Sequence, residues 1–174
     1  MARSSKIVDQ PSEAALLERA FSLANEAMFT IALQRRRLRS EEPEDTTFVF
    51  RWWADLQFFI VALRRLRRSV ELASHVKAAN VELSAALEKF DVSLPDLTMM
   101  RNVGEHIDDY ARNDDRRRYK HVDRRTLHVG TWDGTTYEWL GAKLNIDTAH
   151  SYAVELHSAI RATLKKAAAK ADRH

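Results

Sequence analysis

The sequence contains no cysteine, only four glycines and three prolines, and no long uninterrupted apolar segment. Without cysteine, the chain has no disulfide, no thiolate nucleophile and no thiolate metal site. The scarcity of glycine and proline predicts long helices joined by few turns. No segment approaches the ~20 apolar residues of a membrane span, and residues 1–10 lack an apolar signal region. We therefore expect a cytoplasmic protein with no membrane partner.

The bulk composition is that of one globular domain. The chain has 174 residues, of which 45% are hydrophobic and 30% are charged, which is enough apolar material for a core. We expect a single helical-bundle domain over residues 11–170, with disordered tails at residues 1–10 and 171–174.

The basic residues are unevenly distributed, although 28 of them face 25 acidic residues and the net charge is only +3. Arginines cluster within residues 35–39, 64–68 and 116–125. The ordinary interpretation of any one cluster is that arginine stems cover hydrophobic surface and the charges complement a helix C-terminus. Because the arginine fork also suits phosphate, three clusters together make RNA a candidate partner.

Apolar residues recur at helical spacing in five segments. The predicted helices run from the N-cap Ser12 to about Ser40, from Thr46 or Thr47 to about His75, from Asn80 to Phe90, from the N-cap Ser93 to about Arg112, and from the N-cap Asp147 to about Lys170. On the second helix, the aromatic residues Trp52, Trp53, Phe58 and Phe59 have two interpretations, a base-stacking platform or the core. We interpret them as core.

The pattern changes to a period of two between the fourth and last helices. Residues 113–125 predict an exposed, highly charged connection. Residues 126–132 then alternate, Asp133-Gly134 is typical of a two-residue hairpin turn, and a second strand begins at Thr135. The apolar parity shifts after Trp139, which predicts a bulge near Gly141. The expected fold is all-α: an antiparallel bundle of about five helices with a small β-hairpin (about 126–146) inserted before the last helix.

The fourth helix contains a histidine with two interpretations. On a helical wheel, His106 falls on or beside a hydrophobic seam formed with Val103 and Tyr110, and Asn102 lies one turn away, within reach of the imidazole. One interpretation is an inert, hydrogen-bonded core histidine. The other is a proton-transfer group, because a free imidazole titrates close to neutral pH.

The string Arg101-Asn102-Val103-Gly104-Glu105-His106 resembles the R-x4-6-H motif of the HEPN superfamily, in which asparagine often follows the arginine. The resemblance covers the motif helix closely and the order of helices loosely. It implies an all-helical protein that acts as a homodimeric, metal-independent endoribonuclease of the toxin or defence type. It also implies a cognate antitoxin or other partner protein, with no cofactor.

The resemblance implies a role for each residue of the motif. Arg101 would bind the scissile phosphate, Asn102 would orient it or the histidine, and His106 would transfer a proton as the ribose 2′-hydroxyl attacks. Three neighbours are candidate substrate-binding or orienting residues: Asp109, which would hold an imidazolium, Tyr110 and Arg112.

Two departures leave alternatives open. In a straight helix Arg101 lies ~140° from His106, so the resemblance requires two subunits to line a shared cleft. Family toxins paired with a nucleotidyltransferase carry tyrosine two residues after the histidine, where this chain has Asp108. Arg101 with Glu105, and Asp108 with Arg112, also have the spacing of surface ion pairs. The alternative function is a non-catalytic helical module that binds a protein or nucleic acid.

Overall fold

Six α-helices and a three-stranded antiparallel sheet form the computed structural model, which describes residues 11–46 and 51–171. In chain order the elements are α1 (Glu13–Arg39), α2 (Arg51–Ser74), α3 (Asn80–Ser93), α4 (Leu97–Glu105), α5 (Ile107–Ala111), β1 (Thr131–Trp132), β2 (Thr136–Trp139), β3 (Ala142–Asn145) and α6 (Ile146–Ala171). The predicted fold class, a helical bundle with a small hairpin before the last helix, is confirmed. No helix in these ranges is long and apolar enough to cross a membrane.

The helix α2 lies at the centre of the bundle and contacts α1, α3, α4 and α6. Its apolar stripe explains this position, because the stripe is fully buried over several turns; its members include Leu56, Phe59, Ile60, Leu63, Leu66 and Val70. Of the aromatic residues interpreted as core, Phe59 is buried and Trp52 and Trp53 pack against the core. Phe58 is 60% exposed, so the core interpretation is wrong for that side chain.

The helix boundaries agree with the sequence signals at the start of the chain. The Ser12 hydroxyl accepts a hydrogen bond from the Ala15 amide at 3.2 Å and caps α1 as predicted. Thr46 ends a short 3₁₀ turn over Pro43–Thr46. The other predicted cap of α2, Thr47, and the predicted tail at residues 1–10 lie outside the described residues. Of the predicted tail at residues 171–174, Ala171 is instead the last residue of α6, and the rest lies outside the described residues.

Ser93 is not the cap that the sequence predicted, because α3 continues to that residue. The chain leaves the helical conformation at Leu94 (φ −130°, ψ 60°), the residue before Pro95, where the proline ring disfavours the α region. Pro95 therefore ends α3 at Ser93, three residues after the predicted end at Phe90, and α4 starts at Leu97 without a side-chain cap.

Where the sequence predicts a two-stranded hairpin, the structure has a three-stranded sheet in the order β1-β2-β3. The turns of this sheet also differ from the prediction. The Asp133 amide donates to the Thr136 carbonyl at 3.3 Å, so Gly134 and Thr135 are the central residues of the first turn, one position later than predicted. The predicted bulge near Gly141 is a second tight turn. Leu140 and Gly141 both have positive φ (57° and 76°), and this turn resets the side-chain parity.

The last helix is capped by Asn145 and not by Asp147. The Asn145 side-chain oxygen accepts from the amides of Asp147 and Thr148 at 3.1 and 3.0 Å. Asp147 instead forms ion pairs with Arg35, at 2.8 Å, and with Arg39. These pairs join the end of α1 to the start of α6.

The sheet packs on the helices through two buried aromatic residues. Tyr137 lies edge-on to Trp52 of α2 with ring centroids 6.4 Å apart, and Trp139 lies beside Gly104 of α4. The indole Nε1 of Trp139 donates to the His128 carbonyl at 2.7 Å, and burial raises the pKa of Tyr137. At Gly104 on α4, an added Cβ would lie 2.7 Å from Oε1 of Gln57 and 3.8 Å from Trp139. Gly104 therefore lies where α2, α4 and the sheet meet, and a methyl group there would displace only the end of the Gln57 side chain.

Candidate functional site

His106 lies at a break between α4 and α5. Its backbone (φ −120°, ψ 34°) leaves the helical conformation, although its amide still donates to the Asn102 carbonyl at 3.1 Å. The side chain is exposed, so the prediction that it lies on the hydrophobic seam is wrong. The wheel assumes one continuous helix, whereas the backbone departs from helical geometry at His106 itself. Val103 and Tyr110 remain buried as predicted.

A surface pocket of about 250 Å³ opens beside this break. It is lined by Asn102, His106, Asp109, Tyr110, Arg116, Arg117 and Arg118. The structure thus brings four of the candidate residues together with three arginines of the connection after α5. Two other candidates, Arg101 and Arg112, do not line the pocket.

Two of the three pocket arginines carry charge that no carboxylate of the described residues neutralises. Arg117 is held in place by neutral acceptors: its Nε donates to the Asp114 carbonyl at 2.9 Å, and its Nη1 donates to Asn113 and to the Val122 carbonyl. Arg118 lies over the Tyr119 ring at 5.7 Å. Their positive charge remains available for an anion.

Arg116 differs because two carboxylates share it. It contacts Asp109 at 3.3 Å and Asp114 at 2.9 Å, and its hydrogen bonds hold the pKa of Asp114 well below the usual range. Asp109 also forms an ion pair with Arg112 at 3.3 Å. Within the described chain Asp109 pairs with these arginines and makes no ion pair with His106, so the proposed support of an imidazolium is not seen in this arrangement.

The connection is fixed to the motif helix by Tyr110. This side chain is buried, and its hydroxyl accepts a hydrogen bond from the Tyr119 amide at 3.2 Å. The bond spans nine residues and holds the arginines opposite His106. Tyr110 therefore acts as a positioning residue for the pocket.

Arg101 lies close to its own helix and is largely covered, with 19% of its side chain exposed. It forms the predicted ion pair with Glu105 and donates to Asn102 Oδ1 at 3.1 Å. The Asn102 amide therefore contacts Arg101, and no hydrogen bond joins it to His106 across the described residues. The second predicted pair, Asp108 with Arg112, is present at 3.2 Å.

Sequence reasoning identified the arginines at 116–118 as a basic cluster but did not assign them to the site. Their spacing carries no signal that the connection folds back on α5. The described residues contain no group of three or more histidine and acidic side chains arranged to hold a metal ion. Comparison of the chain with protein-family models, curated proteins and solved structures gives no significant match.

Proposed function

We propose that this chain is a HEPN-like protein that binds RNA in the pocket beside His106 and cleaves it as a homodimer without a metal ion. The observation that supports this function best is an exposed imidazole in a pocket with two guanidinium groups that no carboxylate of the described residues neutralises. A phosphodiester needs such a combination of a cation and a proton-transfer group.

The reaction follows from these groups. His106 accepts the proton of a ribose 2′-hydroxyl, and the oxygen attacks the adjacent phosphorus. The bond from phosphorus to the 5′-oxygen breaks, and that oxygen leaves with a proton from solvent or an imidazolium. The products are a 2′,3′-cyclic phosphate and a 5′-hydroxyl end. Guanidinium groups stabilise the charge that develops on the phosphoryl oxygens.

A second subunit completes the proposed site. Arg101 does not line its own pocket, so it would act on the phosphate bound at the partner's His106. That contact requires the Arg101 guanidinium to exchange Glu105 for a phosphate oxygen. A phosphate contacted from both subunits would receive charge from Arg101 on one side and from Arg117 on the other.

Arg117→Ala tests the binding part of the proposal. We expect this change to weaken the binding of single-stranded RNA about tenfold at low salt, because it removes one charge-assisted phosphate contact. Arg19→Ala is the matched control, since Arg19 is exposed on α1 and does not line the pocket beside His106. Binding is measured by fluorescence anisotropy with chelator present. Equal affinity of the Arg117→Ala and wild-type proteins would remove Arg117 from the site.

Cleavage is tested in the same samples by analysing RNA ends. The proposal expects cyclic phosphate ends in the presence of chelator. A second candidate function, the non-catalytic binding module, is favoured by the ion pair that already occupies Arg101. Tight RNA binding without cleavage on any RNA would reject the ribonuclease proposal in favour of that module.

A further inference from the structure

A second pocket, remote from the motif helix, lies between α1 and α6. Its volume is about 450 Å³, and its lining consists of Phe21, Asn25, His157, Arg161, Leu164 and Lys165. Two cations, one imidazole and one amide thus face two apolar side chains, and no carboxylate is among the lining residues. The pocket near His106, by contrast, contains Asp109.

The three basic groups lie on one face of α6. Positions 157, 161 and 165 are separated by four residues each, so their side chains project from successive turns on the same side. Arg161 and Lys165 form no ion pair with any described residue. Two nearby lysines are neutralised by carboxylates: Lys166 of α6 by Glu82, and Lys89 of α3 by Glu155, both at 2.6 Å.

The imidazole of His157 is held in one orientation. Its Nε2 lies 2.7 Å from Oδ1 of Asn25, and its ring stacks on Phe21 with centroids 5.8 Å apart. Because an amide oxygen only accepts, Nε2 carries the proton of this bond and Nδ1 is left for a ligand. Burial and the nearby Arg161 lower the pKa of His157, which favours the neutral ring, whose Nδ1 is a hydrogen-bond acceptor.

We propose that this pocket binds a small phosphomonoester. Arg161 and Lys165 would pair with the phosphate oxygens, which suits their spacing on adjacent turns. Phe21 and Leu164 provide an apolar surface for the organic part of the ligand, such as a nucleoside. His157 would act as a positioning residue that accepts a hydrogen bond from a ligand hydroxyl. This site is independent of the proposed ribonuclease function, because none of its residues lies on α4, α5 or the connection.

Titration of isotope-labelled protein by NMR tests this site with three probes: adenosine monophosphate, inorganic phosphate and adenosine. We expect adenosine monophosphate to shift the signals of Asn25, His157 and Arg161, inorganic phosphate to do so at higher concentration, and adenosine to have no effect. The double variant Arg161→Ala with Lys165→Ala should lose at least about tenfold in affinity for the monophosphate. Both side chains are exposed, so the amide spectrum of the variant should otherwise remain that of the folded wild type.

Arg36→Ala serves as the matched control, because Arg36 is an exposed arginine of α1 that does not line the pocket and forms no ion pair with the residues that the structure describes. It should bind the monophosphate as the wild type does. Three results would overturn the proposal: equal shifts with adenosine, unchanged affinity in the double variant, or equal affinity for an oligoribonucleotide without a terminal phosphate. The last result would assign the surface to a phosphodiester backbone.

Discussion

His106→Ala is expected to reduce RNA cleavage by at least about 100-fold while leaving RNA affinity within about twofold of the wild type. The proposal gives the imidazole the proton transfer and gives the phosphate contacts to arginines, so its loss should affect the chemical step. Single-turnover cleavage with excess protein and chelator measures that step separately from binding.

The matched control for this change is His75→Ala. His75 is also an exposed histidine, but it lies just after α2 and lines none of the pockets described above. The His75→Ala protein should cleave RNA at the wild-type rate. Equal loss of activity in both variants, or full activity of His106→Ala, would show that His106 does not transfer the proton.

Asp55→Ala is expected to be the most destabilising single change among the ion pairs. The Asp55 carboxylate is only 5% exposed and accepts from Arg37 at 2.9 Å and from Arg51 at 3.1 Å. Its removal takes the carboxylate partner from Arg37, while Arg51 keeps Asp45 and the carbonyls of Arg37 and Ser40 as acceptors. We therefore expect a loss of about 1–3 kcal/mol. For a chain of this length that loss lowers the Tm by roughly 5 °C, as measured by thermal unfolding followed by circular dichroism.

Asp147→Ala is a close control, because Asp147 also bridges two arginines but is 40% exposed. An exposed pair contributes only about 0–1 kcal/mol. The free energy of unfolding should therefore fall much further for Asp55→Ala than for Asp147→Ala. Similar losses would mean that burial does not set the value of these ion pairs.

The sequence predicts the fold wherever the determining signal is local. Ser12 caps α1 and the apolar stripe of α2 is buried, because capping and periodicity depend on neighbours within one turn. The prediction fails where two local signals compete. Asn145 and Asp147 are both good caps, and the ion pairs of Asp147 with α1, which come from a distant part of the chain, favour Asn145 as the cap.

The candidate site is predictable only in part for the same reason. Asn102, His106 and Tyr110 lie on successive turns, so their proximity follows from helical spacing. The position of Arg117 follows from a hydrogen bond between Tyr110 and Tyr119 and from contacts within the connection. Gly104, two residues before His106, is a local feature that favours a distortion of the helix, but it does not predict that the break falls at His106 and exposes the imidazole.

The most direct test of the account mixes two inactive proteins. Dimers of His106→Ala and dimers of Arg101→Ala are each expected to be inactive, because every site lacks one group. If Arg101 and His106 act across the subunit interface, subunit exchange creates mixed dimers with one complete site, and activity returns to about one quarter of the wild-type level. Mass spectrometry verifies that the subunits have exchanged. If activity does not return once exchange is verified, the site is not shared between subunits.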